Sequence, residues 1–334
     1  MDHFSRRDFV SGLTFAGTAG FLGLSPDSVA AESPPETTRI RLIRSSAICV
    51  APQYVAEEFL HDEGFNDVQY VQTAQGFGLK ALAAAQAHFN LSTAGQIVAQ
   101  LDAGAPIVVM AGVHVGCYEL FGIDPIRSVG DLKGKTVAVP SRASGHYFML
   151  ATMLAHVGLH PTKDVNVIIK PFAEAAELLA LGKIAGLVGF PPEPQELRVR
   201  KVGHVVVNTI LDRPWFQYFC CMAVANKEFV RKHPVASKRA LRAILKASNV
   251  CALEPERAAQ LLVDKGYTPR YDYALQTLKD IPYARWREYN PEDTVRFYAL
   301  RLHEAGMIKS NPQKIIAQGT DWRFLNELKK ELKG

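Results

Sequence analysis

The chain has 334 residues, of which 48% are hydrophobic and 21% charged, with a formal net charge of +5. That length buries a sizeable core, most naturally divided between two lobes. No dense Lys/Arg run occurs and aromatic residues do not alternate with basic ones, so nucleic-acid binding gains no support. Beyond the N-terminus no stretch approaches the roughly 20 apolar residues of a membrane span.

Ser5-Arg6-Arg7-Asp8-Phe9-Val10, the weakly apolar segment Gly12–Leu24 and the small residues Ser28-Val29-Ala30-Ala31 together match a twin-arginine export signal, cleaved after Ala30 or Ala31. The bland alternative is an unprocessed amphipathic N-terminus. Removing residues 1–31 takes away two arginines and three aspartates and leaves a charge of +6. No cysteine follows the apolar segment, so a lipid anchor is not expected. The mature protein is expected to be soluble and periplasmic.

After a Pro- and Glu-containing linker, Glu32–Thr38, strand and helix patterns alternate. Ile40–Ile43 reads as a strand, Ala51–His61 as a helix, Val68–Val71 as a strand and Gly78–Gln86 as a helix. Phe89–Leu91 is a short strand, Gln96–Asp102 a helix and Ile107–Met110 a buried strand. This alternation predicts a mostly parallel α/β sheet. Chain crossings are expected near Tyr118–Asp124 and Arg213–Phe219.

The most informative stretch is Asp131–Pro161. Thr136–Val139 is a β-branched strand ended by Pro140, and Ser141–Gly145 is a small polar loop with Ser144 as N-cap. Tyr147, Leu150, Met153, Leu154 and Val157 recur at helical spacing as one apolar face, closed by Gly158 and Pro161. The result is a helix N-terminus at the carboxyl end of a strand, a place suited to an anion. Val165–Ile169, Leu187-Val188 and Val205–Val207 read as further strands, with a helix at Ala173–Leu181 and another opened by Pro191–Pro194. From Asn226 the pattern turns helical, and Asn290-Pro291-Glu292-Asp293 is a strong helix start.

In an open α/β sheet, ligands bind outside the carboxyl ends of the strands. That rule selects Ser45, Ser46, Thr73, Gln75, Ser92, Thr93 and His114 in the first part of the chain. In the second it selects Ser141, Arg142, Ser144, Gly145, His146, Phe190 and Glu193, with Trp215 and Tyr218 as a further aromatic wall. Most of these are neutral donors, a set better suited to holding a ligand than to transforming it. Each also has a plainer reading. The serines and threonines fit turns and caps, His114 a hydrogen-bonded loop, Arg142 a solvated loop, and Glu193 the start of its own helix.

No G-x-S-x-G elbow, H-E-x-x-H or P-loop is present, so no catalytic residues are expected. The five cysteines, Cys49, Cys117, Cys220, Cys221 and Cys251, lack metal-type spacing, and neither a metal nor a cofactor is expected. Cys220-Cys221 sit in an apolar strand, where buried free thiols are the plain reading. A Cys49–Cys117 bridge remains open in an oxidising compartment.

Asp131–Val139, followed by Val157-Gly158-Leu159 and Lys163-Asp164-Val165, resembles the substrate-binding proteins of nitrate/sulfonate/taurine-type ABC importers. Ala81-Leu82 and Gly104–Ile107 fit the same pattern. The resemblance runs from about Arg39 to the C-terminus. It implies an α/β periplasmic-binding-protein fold of type II, with two lobes joined by two crossing hinge strands and followed by C-terminal helices. Residues 39–120 and 217–334 would form lobe I, and 121–216 lobe II. The implied function is capture of a small anionic organic solute between the lobes and delivery to an ABC permease by a monomer. An enzyme related to pyrimidine-precursor synthesis, or a ligand-presenting sensor, is the alternative on the same fold. The chain departs from the family pattern at Ala85, His88 and Ala185-Gly186.

Overall fold

Among the described residues ten strands carry the fold: β1 (Arg39–Ile43), β2 (Asp67–Val71), β3 (Phe89–Thr93), β4 (Ile107–Val115), β5 (Glu119–Gly122), β6 (Thr136–Val139), β7 (Asn166–Ile169), β8 (Gly186–Gly189), β9 (His204–Asn208) and β10 (Phe219–Asn226). The computed structural model describes residues 32–74 and 76–332, so the export-signal segment and Gln75 lie outside the described residues. The strands form two five-stranded sheets, in the orders β2-β1-β3-β10-β4 and β7-β6-β8-β5-β9.

The helices are α1 (Ala51–Asp62), α2 (Gly78–Ala83), α3 (Ala94–Asp102), α4 (Gly145–His156), α5 (Phe172–Ala180), α6 (Glu193–Arg200), α7 (Lys227–Lys232), α8 (Pro234–Leu253), α9 (Pro255–Asp264), α10 (Tyr271–Asp280), α11 (Pro291–Glu304), α12 (Pro312–Gly319) and α13 (Arg323–Glu331). Among the described residues no helix is long and apolar enough to cross a membrane.

The expected strands are present, but each sheet is mixed rather than mostly parallel. β1 pairs in parallel with β2 and β3, and β6 with β7 and β8. β10 runs antiparallel between β3 and β4, and β5 antiparallel to β8 and β9. These are the strands beside the two crossings, where the chain enters a sheet from the opposite end. β4 and β10 are buried at every position, as expected of strands covered on both faces.

The first crossing differs from the expectation, because Glu119–Gly122 is a strand of the second sheet and the passage is confined to Gly116–Tyr118. There Thr209 ties the two passages together. Its Oγ1 accepts from the Cys117 and Tyr118 amides at 3.0 and 2.9 Å, and its own amide donates to the Tyr118 carbonyl at 3.0 Å. Gly116 has φ +58°, and a Cβ on it would meet the Ile210 backbone at 2.7 Å. Only glycine allows the two crossing segments to lie this close.

α4 begins as expected, with the Ser144 hydroxyl accepting from the Tyr147 amide at 3.3 Å, and Gly158 follows it at φ +77°. Its apolar surface is wider than one face, however. α4 packs against β8 on one side and against α3 and α11 on others, so Met149 and Ala151 are buried too, while Val157 is exposed. α8 packs on α1, next to the fully buried Trp286, whose Nε1 donates to Asn249 Oδ1 at 3.1 Å.

Candidate functional site

A cavity of about 470 Å³ opens between the carboxyl ends of the strands of the two sheets. From the first sheet and its loops it is lined by Arg44, Ser45, Ser46, Thr73, Asn90, Ser92, Thr93 and Gln96, and from the second by Ser144, Gly145, His146 and Phe190. Tyr267, Cys49, Cys117 and Cys221 also line it. Arg44 contributes a positive charge, and no carboxylate is among the described lining residues.

The wall is held from behind by buried polar side chains. Gln53, fully buried, donates to the Ile43 carbonyl at 2.6 Å and accepts from the Leu91 amide at 2.9 Å, which joins the ends of β1 and β3. Tyr54 Oη donates to the Ser45 carbonyl at 2.6 Å and accepts from the Ser45 amide at 2.7 Å. Burial pushes the Tyr54 hydroxyl up, so it stays protonated and the loop stays fixed. The Tyr54 ring stacks on Tyr267 at 3.5 Å, and the Arg44 guanidinium lies 4.9 Å from the Tyr267 centroid. Arg44 Nη2 also donates to the Gly266 carbonyl at 3.1 Å, which pins the cation at the rim.

The N-termini of α3 and α4 meet at the cavity, and residues of both line it. Thr93, the residue before α3, does not cap it. Its hydroxyl donates to Gln96 Oε1 at 3.0 Å, and Gln96 Nε2 donates across the cleft to the Ala143 carbonyl at 2.8 Å. The first-turn amides of both helices lack intrahelical acceptors and suit an anion. Gly145 is the point of closest approach. A Cβ there would meet Tyr118 Oη at 2.1 Å and Thr93 Oγ1 at 3.0 Å.

Nine of the expected residues therefore line the cavity: Ser45, Ser46, Thr73, Ser92, Thr93, Ser144, Gly145, His146 and Phe190. Gln75 lies outside the described residues. The rest stand elsewhere. Arg142 is exposed and donates to Tyr147 Oη at 3.1 Å, so the cavity's cation is Arg44 in its place. The Ser141 carbonyl accepts from the Ser144 hydroxyl at 2.7 Å. Glu193 sits behind the wall, where its carboxylate receives His146 Nε2 at 2.8 Å and the Phe190 amide at 3.1 Å. Trp215 is buried against His156 and Phe297, and Tyr218 stacks on Phe297 at 3.9 Å; both belong to the core. His114 is fully buried behind the cavity floor. Sequence reasoning missed Arg44, Asn90, Gln96 and Tyr267. Arg44 directly follows the first strand and was within reach of the strand-end rule, but Tyr267 comes from a distant helical segment.

All five cysteines are buried and free. The nearest thiol to Cys117 is not Cys49 but Cys220, with Sγ atoms 2.8 Å apart. Burial pushes the Cys117 thiol up, and its neighbour Cys220 adds to the shift. Burial opposes ionisation of Cys220 as well, but hydrogen bonds from Cys117 and Cys221 outweigh it and bring Cys220 down to about 7. Although no sequence spacing indicated it, the fold also brings Cys49, His114 and Cys117 together, with donor atoms within 4.8 Å of one another.

Similar folds occur in the periplasmic nitrate-binding protein NrtA from Synechocystis PCC 6803, at 16% identity and a TM-score of 0.72 over 90% of each chain. The alkanesulfonate-binding protein SsuA from Xanthomonas axonopodis pv. citri, bound to MOPS, is 15% identical, with a TM-score of 0.67 over 86% of this chain and 99% of that one. The desulfurization enzyme DSZB shares the fold at 13% identity and a TM-score of 0.61, over 88% of this chain and 99% of that one. No curated protein sequence matches the chain significantly. The description "NMT1/THI5 like" matches residues 48–258, more than half of the sequence. With its two α/β sheets and the cleft between them, the chain belongs to the NMT1/THI5-like family.

Proposed function

We propose that the protein is a periplasmic receptor that captures a small anionic organic solute in the cavity and delivers it to an ABC permease. The lobes divide at Gly116–Tyr118 and again between Thr209 and Tyr218, and closure about these passages presents the bound form to the permease. The observation that carries the reading is the lining itself, which among the described residues has one pinned arginine, two helix N-termini, several hydroxyls and amides, and no carboxylate. Phe190 and Tyr267 supply apolar walls for the organic part of the solute. Native mass spectrometry of protein purified from its own periplasm tests this directly. A co-purifying carboxylate, sulfonate or similar anion is expected; a co-purifying cation or a neutral sugar would sink the reading.

Export is proposed to use the twin-arginine route, on the strength of Arg6 and Arg7 before a weakly apolar segment. Replacing both by lysine should leave precursor in the cytoplasm, and normal periplasmic yield from that variant counts against the route.

A second reading, an enzyme on the same fold, is favoured by one observation, the cysteines that line the cavity with His114 buried beside them. Turnover of a bound compound, lost in Cys49→Ser or Cys117→Ser, would establish it over the receptor.

A further inference from the structure

We propose that Cys49, His114 and Cys117 form a binding site for one thiophilic d10 cation of the Zn(II) type at the floor of the cleft. The inference is independent of which solute the cavity takes. Two observations carry it. The Sγ atoms of both cysteines and a ring nitrogen of His114 lie within 4.8 Å of one another, as donors around one ion must. His114 Nδ1 is 2.9 Å from the Gly116 carbonyl, an acceptor only, so Nδ1 carries the ring hydrogen and Nε2 keeps its lone pair. That Nε2 is fully buried and has no hydrogen-bond partner among the described residues, with the thiols of Cys49 and Cys221 beside the ring. A buried acceptor without a partner is unfavourable, and a backbone carbonyl on the other nitrogen is the usual arrangement behind a metal-bound histidine.

The setting suits a soft cation. Two thiols and one imidazole select zinc or copper(I) over calcium or magnesium. Cys49 and Cys117 line the cavity, so an ion has a route in, and a fourth position can face the cleft. Cys221 lines the same wall, and Cys220 touches Cys117, which supplies further sulfur beside the three ligands. Binding forms two zinc–sulfur bonds and one zinc–nitrogen bond, and releases the two thiol protons to solvent. Because Cys117 belongs to the first crossing segment and Cys49 to the turn before α1, the ion would rivet that passage to the first sheet's edge of the cleft.

Zn(II) is titrated into the reduced, metal-stripped, folded chain in competition with a chromophoric chelator, and Co(II) is added in parallel as a spectroscopic stand-in. One equivalent of zinc, two protons released and a thiolate-to-cobalt charge-transfer band are expected. Cys49→Ser, Cys117→Ser and His114→Gln should each weaken zinc binding at least about a hundredfold. Cys251→Ser, at a buried cysteine with no part in the site, should leave it unchanged. No saturable uptake, or uptake unaltered in all three variants, overturns the site. Should a variant fail to fold, the unaltered chain still decides: zinc must slow alkylation of Cys49 and Cys117 by iodoacetamide, and equal labelling with and without zinc overturns the proposal.

Discussion

Arg44 and Arg142 separate two ways of holding an anion. Arg44 is fixed by the Gly266 carbonyl and the Tyr267 ring and faces the cavity, whereas Arg142 is exposed and turned to Tyr147. A hydrogen bond to a charged partner is worth about 1.5–3 kcal/mol, so Arg44→Ala should weaken solute binding by about one to two orders of magnitude. Its thermal stability should change little, since the lost stacking is worth about 0.5–1 kcal/mol. Arg142→Ala should change neither. Isothermal titration of both variants with the identified solute decides; the opposite ranking would return the anion to the loop at Ser141–His146. From the sequence, Arg142 was the candidate cation because it stands at a helix mouth, but linear position does not show which way a loop side chain turns.

At the scale of elements, α4 rests on two residues. The Ser144 cap satisfies one first-turn amide, and Ser144→Ala should cost about 1 kcal/mol, read as a lower midpoint in urea with an unchanged slope. Gly145 matters for a different reason, because any side chain there collides with Tyr118, which is itself fully buried. Gly145→Ala should destabilise by about 1–3 kcal/mol and reduce solute affinity at least tenfold by holding the helix mouths apart. Tyr118 Oη has no hydrogen-bond partner among the described residues, so Tyr118→Phe alone should be nearly neutral and should restore part of the loss when combined with Gly145→Ala. A double variant no better than Gly145→Ala would show that the collision is not with this hydroxyl. The cap, the strand before it and the glycine after it were all legible, because each is a local property of the chain. The antiparallel setting of β5 and β10 was not, because it follows from which end of a sheet the returning chain enters.

For the molecule as a whole, His88 makes stability depend on pH. Its Nδ1 faces the Arg41 amide at 3.3 Å and its Nε2 lies 3.1 Å from Arg41 Nη2, with Phe229 stacked at 4.1 Å. Burial, then the charge of Arg41, bring it from an ordinary value near 6.5 down to about 4. The unfolded chain therefore binds more protons in this interval, so stability is full above about pH 6.5 and is lost as pH falls toward about 4. Discounted for solvent screening of a partly exposed ring, the loss is on the order of 1–2 kcal/mol. Urea midpoints from pH 4 to 7 check it: His88→Gln should flatten this part of the profile, and an unchanged slope would place the titration elsewhere. The two-lobed α/β organisation was readable from strand–helix alternation and strand-end chemistry. The clustering of Cys49, Cys117, Cys220 and Cys221 was not, since residues more than a hundred positions apart meet only when β4 and β10 pair.

The loop between α9 and α10 places Gly266 and Tyr267 at the cavity rim, although neither belongs to a sheet. Gly266 takes φ +68° and offers its carbonyl to Arg44, while Tyr267 lays its ring beneath that cation. The positively charged wall is thus steered by a short surface turn that can vary without disturbing strand pairing. Relatives differing only over residues 265–269 would be expected to share one scaffold yet prefer different solutes, and grafting those five positions would change which solute the cavity holds without rebuilding the core.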